Sequence, residues 1–192
     1  MALTKTQIAE KSIEILNRDG IDGLTMRLLA KELNIKAASL YWHFADKRAL
    51  FTEISELLCL ALPLPEDGAS PIEFLRAVFA SFRTVLLSTK DSVIVFENSL
   101  PFTPKRMDII RVAARAFTSL GVKQENLMTV SNMFNNHVLS FVADEQRFKS
   151  FSKEQTDSFA AGLLPEDIIV FTAPNDYDCR FMYGLQLLFR GL

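Results

Sequence analysis

The chain has 192 residues, 49% of them hydrophobic and 23% charged, which provides enough apolar side chains for a large buried core. The formal net charge is −2, and the N-terminal 61 residues carry as many acidic as basic side chains. This excludes a nucleic-acid binder that relies on global positive charge, so any DNA-binding charge must be local. The 16 phenylalanines favour an aromatic-rich core, an oily cavity or an apolar subunit interface.

No membrane span or secretion signal is evident in the sequence. The longest apolar run covers residues 57–64, contains Pro63 and falls far short of the about 18 residues of a span. Cys59 and Cys179 lie far apart, without metal-type spacing, in segments that have the pattern of buried helix. They are interpreted as two inert thiols of a reducing compartment. We therefore expect a cytoplasmic protein.

Four helices are predicted in the N-terminal part. Thr4 and Gln7 form a capping box at the start of the first, which Asp19-Gly20 is expected to end. Thr25 caps a short second helix that runs to Leu33. Asn34 then turns the chain, because Asn follows Gly as the best residue for left-handed backbone. A third helix spans about 37–44, and Asp46 caps an amphipathic fourth helix that ends near residue 62.

The segment 63–71 (PLPEDGASP) is the clearest break in composition along the chain. We expect a domain over residues 1–46, a connecting helix over 46–62 and a second domain over 63–192. The second domain is predicted to be helical, with its last two long helices over 124–146 and 177–192. Residues 147–176 are expected to be poorly regular, with at most a short helix, and 168–172 (IIVFT) could be a buried extended loop. The predicted fold class is all-α.

The second and third helices have the form of a helix-turn-helix, whose second helix enters the major groove of DNA. Their sequence is that of residues 23–35 (GLTMRLLAKELNI) and 39–44 (SLYWHF), followed by 47–50 (KRAL). Over about residues 4–60 this pattern resembles the DNA-binding domain of the TetR family, and the second and third segments resemble the tetracycline repressors in particular. Asn34 stands where the family usually has Gly.

The resemblance implies an all-α protein with an N-terminal three-helix helix-turn-helix domain and a C-terminal helical ligand-binding and dimerisation domain. The implied partners are double-stranded DNA, as an inverted-repeat operator, a second copy of the chain and a small effector. The residues expected to hold phosphates are Thr25, Tyr41, His43 and Lys47. Those expected to face base edges are Arg27, Ala37, Ala38, Ser39 and Trp42.

Resemblance to the tetracycline repressors continues more weakly at residues 82–88 (FRTVLLS) and 181–185 (FMYGL). In that family two C-terminal helices of each subunit pack as a four-helix bundle. The corresponding segments here, 124–146 and 177–192, are apolar on more than one face, which a dimer accommodates. A thick monomeric core is the alternative.

The expected effector site differs from that of the tetracycline repressors. Positions that hold the drug and its magnesium there by polar side chains are Val78, Phe96, Leu100, Val112 and Ala143 here. Because a hard cation needs oxygen ligands, we expect no metal, no cofactor and an uncharged or weakly charged hydrophobic effector. The expected contacts are Phe82, Phe96, Pro101, Phe102, Val112, Phe117 and the polar Asn135, with Asn132 a helical turn away.

The sequence leaves two alternative functions open. His137 with Asp144, Glu145 and a serine such as Ser140 suggests an enzyme, yet these residues share one helix and no glycine elbow or oxyanion site accompanies them. An interior or interface histidine is favoured, so no enzymatic activity is expected. The second alternative is a regulator or architectural DNA-binding protein of the same fold, whose C-terminal domain binds a protein partner or no ligand.

Overall fold

The computed structural model describes residues 3–65, 68–152, 154–155, 158, 161–162 and 176–192. All regular structure among these residues is helical, which confirms the all-α prediction. None of the described helices is long and apolar enough to cross a membrane. The helices with described bounds are α1 (Lys5–Gly23), α2 (Met26–Glu32), α3 (Ala37–His43), α4 (Lys47–Leu60), α5 (Pro71–Leu87), α6 (Ser92–Glu97), α7 (Pro104–Ser119), α8 (Leu127–Ser150) and α9 (Tyr177–Arg190).

Helix α1 begins as predicted but ends later. The Thr4–Gln7 capping box is present. Gly20 does not end the helix: it kinks it, with φ 75° and ψ −173°, and helical turns continue to Gly23. The amide of Leu24 donates to the carbonyl of Gly20 at 3.3 Å, which closes one more turn beyond the glycine. The predicted end is therefore wrong by one turn.

Helices α2 and α3 form the predicted helix-turn-helix. The Thr25 hydroxyl accepts a hydrogen bond from the amide of Leu28 and so caps α2. Asn34 has a φ of 52°, as expected for a turn residue in the left-handed region. The amide of Ile35 donates to the carbonyl of Ala30 at 3.0 Å and closes the turn. The two helices are thus held at a fixed angle by local hydrogen bonds.

The N-terminal helices, called the head below (residues 4–46), pack on α4 through aliphatic side chains. Ile8, Ile15 and Leu16 of α1 are fully buried, as is Ile54 of α4. The buried residues of the head belong to the same hydrophobic cluster as those of α5 to α9. Helix α4 therefore joins the head to the C-terminal helices by continuous packing.

The C-terminal helices enclose an aromatic cluster. Phe79 of α5 stacks on Phe134 of α8 with ring centroids 5.2 Å apart, and Phe134 also meets Phe117 of α7 at 5.0 Å and Phe189 of α9 at 4.8 Å. Such offset and tilted ring pairs add to the free energy gained from burial. One hydrophobic group thus fixes α5, α7, α8 and α9 against each other.

A buried ion pair joins three of these helices. The guanidinium of Arg83 in α5 donates to Glu145 of α8 at 2.7 and 3.0 Å, and to Asp178 of α9 at 2.6 Å. Burial opposes the charge of Arg83, but the hydrogen bonds to Asp178 and Glu145 outweigh it and raise the pKa of Arg83. No sequence pattern predicted this pair. Its position fixes the start of α9 against α5 and α8.

Two expectations for the C-terminal part are partly wrong, and a third concerns residues that the structure does not describe. Helix α8 continues to Ser150, so residues 147–150 are helical rather than irregular. Cys179 is exposed, unlike Cys59, so the expectation of two buried thiols holds for one only. Most of the remaining stretch up to residue 176, including the expected loop 168–172, lies outside the described residues.

Candidate DNA-binding surface and effector region

Helix α3 exposes two large aromatic side chains. Its inner side is fixed by Leu40 and Phe44, which are fully or almost fully buried. On its outer side Trp42 is 90% exposed and Tyr41 54% exposed. Ala37 and Ala38 in its first turn are exposed as well. A folded chain gains nothing by placing an indole in water, so this surface has the properties of a contact site for a partner.

The other residues predicted to contact DNA lie on α2, on α3 and at the start of α4. Arg27 on α2 is exposed, and Ser39 on α3 is half-buried. Thr25 uses its hydroxyl oxygen as an acceptor in the α2 cap, which leaves the O–H free to donate. The half-buried His43 lies beside Phe44, and the Lys47 ammonium lies 5.3 Å from the ring centroid of Phe51 at the start of α4. These residues thus lie on two helices that pack on each other and at the start of the next one.

The residues expected to bind an effector fall into separate groups. Phe82 of α5 and Phe96 of α6 meet edge to face at 5.2 Å, and the guanidinium of Arg106 lies 4.8 Å from the Phe96 ring. Phe117 is fully buried in the aromatic cluster, whereas Phe102 is 79% exposed. The remaining three, Pro101, Val112 and Asn135, are half-buried. Only Phe82 and Phe96 are shown in contact with each other.

Five of the positions expected at the effector site do not fit a magnesium ion. Phe96 and Ala143, together with Val78, Leu100 and Val112, have no side-chain oxygen or nitrogen to offer a cation. Among the described residues no group of three or more His, Cys, Asp or Glu side chains could hold a metal ion.

An open groove of about 360 Å³ lies between α6 and α8. Its volume is within the range of small-molecule sites. The groove does not include any of the predicted effector contacts. An ion pair between Arg147 and Asp144, at 2.6 Å, lies along one side of it. The lining residues are Val93, Glu97, Asn136, Leu139, Ser140, Ala143, Asp144 and Arg147.

Helix α4 is hydrogen-bonded at two points to the segment that leads into α7, and no sequence pattern predicted these bonds. The Thr52 hydroxyl accepts from the amide of Leu100 at 3.0 Å, just before α7. The Glu56 carboxylate accepts from the amides of Lys105 and Arg106 at 2.7 and 3.2 Å, and so caps the start of α7. An acidic residue one turn from an α4 threonine is the only sequence signal of these bonds.

His137, the central residue of the enzymatic alternative, packs against α9. Its ring stacks on Phe181 at 5.2 Å, and its Nε2 lies 3.2 Å from the Phe181 carbonyl, to which it donates when that nitrogen carries the proton. A Cβ at Gly184 would lie 2.3 Å from the His137 ring. The close approach of α8 and α9 therefore requires glycine at this position.

Helices α8 and α9 expose apolar side chains that their own subunit leaves uncovered. Met128 and Met133 of α8 and Tyr183 and Leu187 of α9 are each about half exposed or more. Leu185, by contrast, is fully buried within the subunit. The two helices therefore have an inner face that is packed and an outer face on which these four apolar side chains lie uncovered among polar ones.

Comparison with known proteins agrees with this arrangement. The family model for bacterial regulatory proteins of the tetR family matches residues 8–54. The model for the tetracyclin repressor-like C-terminal domain matches residues 62–192. The class G tetracycline repressor protein of Vibrio anguillarum is 36% identical, with 98% of this chain and 93% of the relative covered. The class D protein of Escherichia coli is 30% identical, with 98% and 88% covered.

Solved structures of the same family superpose over nearly the whole chain. Streptomyces coelicolor ActR in complex with actinorhodin has a TM-score of 0.85 at 25% identity, with 100% of this chain and 96% of that one covered. TetR-Q116A of Acinetobacter baumannii in complex with minocycline has a TM-score of 0.78 at 27% identity, with 99% and 96% covered. The chain therefore belongs to the TetR family and is a DNA-binding transcriptional regulator with a ligand-binding C-terminal domain of the tetracycline-repressor type.

Proposed function

We propose that the chain is a homodimeric repressor that binds an inverted-repeat operator and leaves it when a small hydrophobic effector binds. The observation that carries the proposal is the exposure of Trp42 and Tyr41 on α3, a helix that Leu40 and Phe44 fix to the head. In the second helix of a helix-turn-helix, the partner that covers such side chains is the major groove of DNA.

Within this site the residues have two kinds of role. Positioning contacts to phosphates fix the register of the head on the duplex, and contacts to base edges select the sequence. We assign Thr25, Tyr41, His43 and Lys47 to phosphates, and Arg27, Ala37, Ala38, Ser39 and Trp42 to bases. The exposed Arg27 suits a bidentate contact to guanine, and the two alanines suit the methyl group of thymine.

The proposed dimer is formed by the outer faces of α8 and α9. Met133, Tyr183 and Leu187 are apolar or aromatic and uncovered in the subunit. A second copy related by a two-fold axis covers the same patch on both subunits. Two heads on one symmetric dimer then read two inverted half-sites, with centres about 34–36 Å apart or a small multiple of that distance.

The proposed effector site is centred on Phe82 and Phe96. The loop of Pro101 and the exposed Phe102 follows α6, the helix of Phe96, and we propose that it closes over the ligand. Val112 and Asn135 complete the walls, and Phe117 forms the floor through the aromatic cluster. The named ligands of two related structures, actinorhodin and minocycline, are bound by those proteins; for this chain they support only an organic effector, which we propose binds without metal.

Helix α4 is proposed to transmit the effect. Its start at Lys47 belongs to the DNA surface, and its Thr52 and Glu56 are bonded to the segment that leads into α7. A ligand that moves this segment moves α4 and changes the distance between the two heads. Release requires that the ligand bind the low-affinity conformation more tightly, since equal affinity for both would shift nothing.

The test has two stages. Selection from random double-stranded DNA should recover an inverted repeat that binds two subunits, and a selected single half-site bound by one subunit would oppose the proposal. A thermal-shift screen of hydrophobic molecules should then find ligands that both raise the unfolding midpoint and release the operator. Phe96→Ala should abolish the response, whereas Phe148→Ala, which removes an exposed phenylalanine at the far end of α8, should keep it.

A ligand-free regulator that binds a protein partner is the second candidate. The observation that favours it is the dense packing of Phe79, Phe117 and Phe134, whose ring centroids lie 5.0 to 6.3 Å apart and among which Phe117 is fully buried. A screen in which no hydrophobic molecule raises the midpoint, together with operator binding that no ligand reverses, would support this candidate over the first.

A further inference from the structure

The head meets the C-terminal helices at a second place, away from α4. The amide of Ile21, just after the α1 kink, donates to Oδ2 of Asp91 at 2.7 Å. The amide of Lys90 donates in the opposite direction, to Oδ1 of Asn17, at 2.8 Å. These reciprocal bonds, called the α1 joint below, connect α1 to the turn between α5 and α6.

Asp91 makes this bond in an unfavourable backbone conformation and without capping its own helix. Its backbone is left-handed, with φ 58° and ψ 19°, a conformation that costs a non-glycine residue free energy. It also occupies the N-cap position of α6, where an aspartate normally accepts a hydrogen bond from its own helix, and it makes no such bond. Strain of this kind points to a role that the local fold does not explain.

Gly20 sets the backbone conformation on the α1 side of the joint. Its positive φ of 75° interrupts the helical hydrogen bonds of α1 and leaves the next amide, that of Ile21, for Asp91. A Cβ at Gly20 would lie 2.9 Å from Oδ2 of Asp91 and 3.2 Å from Nζ of Lys90. The close approach of the two segments thus depends on glycine at this position as well as on the kink.

The turn that carries Asp91 is itself anchored to the proposed dimer helix. Nε2 of Gln146 in α8 donates to the carbonyl of Thr89 at 3.1 Å. The Ser92 hydroxyl donates to the carbonyl of Leu86 at 2.6 Å and fixes the turn on α5. Asp91 is therefore a fixed point of the C-terminal region, against which α1 is held.

Within the head, an ion pair connects α1 to the helix-turn-helix. Arg18, next to Asn17, donates to Glu32 at the end of α2 at 2.6 Å. The head is thus attached at two points, through α4 and through the α1 joint. One attachment would allow the head to rotate about it, whereas two attachments fix its direction.

We propose that Asn17 and Asp91 are positioning residues that set the spacing between the two recognition helices and hence the operator spacing that the dimer selects. This inference rests on the proposed function, because it requires a dimer on an inverted repeat. One base pair of added spacer moves the half-sites apart by about 3.4 Å and turns them by about a tenth of a helical turn. A head held at two points does not follow such a change, while a head held at one does.

The test compares the wild type with the double variant Asn17→Ala/Asp91→Gly. Glycine accepts the left-handed backbone and removes the carboxylate, so the turn keeps its shape and the hydrophobic core of the head is untouched. Asp91→Asn keeps an acceptor and tolerates the same backbone, and it serves as the conservative variant. Asp108→Asn, which removes one partner of an exposed ion pair on α7, is the control for loss of a surface carboxylate.

Each protein is used to select duplexes from a random library, and the spacer lengths of the selected repeats are counted. We expect the wild type, Asp91→Asn and Asp108→Asn to prefer one spacer by about tenfold over its neighbours of one base pair more or less. The double variant should select the same half-site bases, but with neighbouring spacers within about threefold of each other. An unchanged spacer preference in the double variant overturns the inference and leaves the proposed function standing. A wild type that selects no inverted repeat overturns the proposed function itself.

Discussion

The head and the C-terminal region build their candidate sites in different ways. In the head, every residue proposed to contact DNA lies between Thr25 and Lys47, on two short helices and the start of a third. In the C-terminal region, the proposed effector contacts extend from Phe82 to Asn135 and come from α5, α6, α7, α8 and one loop. A site made by local helix geometry tolerates changes elsewhere, whereas a site made by packing depends on every helix that encloses it. Substitutions should therefore have local effects in the head and wide effects in the C-terminal region.

The largest expected effect is on assembly. Leu187→Asp places a charge on the outer face of α9, where Leu187 is 48% exposed in the subunit. In the proposed dimer this charge is buried without a partner, which costs several kcal/mol. We expect a folded monomer that has lost operator binding by at least about 100-fold, because each half-site is then bound alone. Sedimentation velocity and a DNA titration measure the two losses.

Leu185→Asp is the control that separates loss of the dimer from loss of the fold. Leu185 is fully buried inside the subunit, so a charge there should unfold the chain rather than only separate two subunits. Far-UV circular dichroism distinguishes the outcomes: helical and monomeric for Leu187→Asp, unfolded for Leu185→Asp. A Leu187→Asp protein that sediments as an unchanged dimer would show that the outer face of α9 is not the interface.

The second prediction concerns the buried ion pair. Arg83→Met removes two of the hydrogen bonds of the almost fully buried Glu145 carboxylate and leaves Lys149, at 2.6 Å, as its ion-pair partner. Because Lys149 still compensates the charge of Glu145, we expect the free energy of unfolding to fall by about 2–3 kcal/mol, less than for a buried charge left fully unpaired. Arg83→Met/Glu145→Met removes both charges and should recover most of this loss. Urea denaturation of the two variants gives the values, and a double variant less stable than the single one would contradict the argument.

The sequence predicted the helices of both regions well because their signals are local. The capping residues Thr4, Thr25 and Asp46 begin α1, α2 and α4 in the structure as expected. Asn34 turns the chain with a positive φ. The error at Gly20 has a physical cause: glycine permits a helix to end but does not require it, and contacts with Asp91 decide the outcome. That contact joins residues 70 positions apart, which no local pattern reveals.

The candidate sites were predictable to different degrees for the same reason. The motif in the head names side chains on a short helix, and the structure places Trp42 and Tyr41 outward. The effector residues were inferred from equivalence with a family, and their mutual contacts depend on how helices pack. Phe117, inferred as a pocket wall, lies in the aromatic cluster, and the Glu56 cap of α7 was missed because α4 and α7 are distant in sequence. The effector contacts therefore remain a proposal.

The third prediction tests the locality of the head. Trp42→Ala removes a side chain that the subunit barely contacts, so the unfolding midpoint should be unchanged. Operator affinity should fall by about 10- to 100-fold, the range of one lost base-edge contact. Fluorescence anisotropy and a thermal melt give the two quantities. A clear drop in the midpoint would mean that Trp42 packs within the protein.

The fourth prediction separates the two kinds of DNA contact. Arg27→Ala should relax the preference at one base-pair position in each half-site, whereas Lys47→Ala should weaken binding to all sequences about equally. The salt dependence of Lys47→Ala should also be shallower by about one unit of slope, because one fewer counterion is released. Binding to an operator and to random DNA at several salt concentrations separates the two. If neither variant differs from the wild type, the assigned surface is wrong.

The smallest effect compares the thiols of the two regions. Cys59 is buried where α4 meets α7, and burial raises the pKa of its thiol to about 12. Cys179 is exposed, although its hydrogen bond with the Asp176 side chain raises its pKa as well. Since the thiolate is the reactive form, a disulfide reagent at pH 8 should modify Cys179 well before Cys59. Cys179→Ser should remove the fast phase, and Cys59→Ser only the slow one.

Because Cys59 reacts only when α4 separates from its neighbours, its rate measures the opening of this contact. An effector that moves α4 should change that rate while leaving the rate of Cys179 unaltered. Equal rates for the two thiols would show that the contact between α4 and α7 opens too readily to transmit a signal.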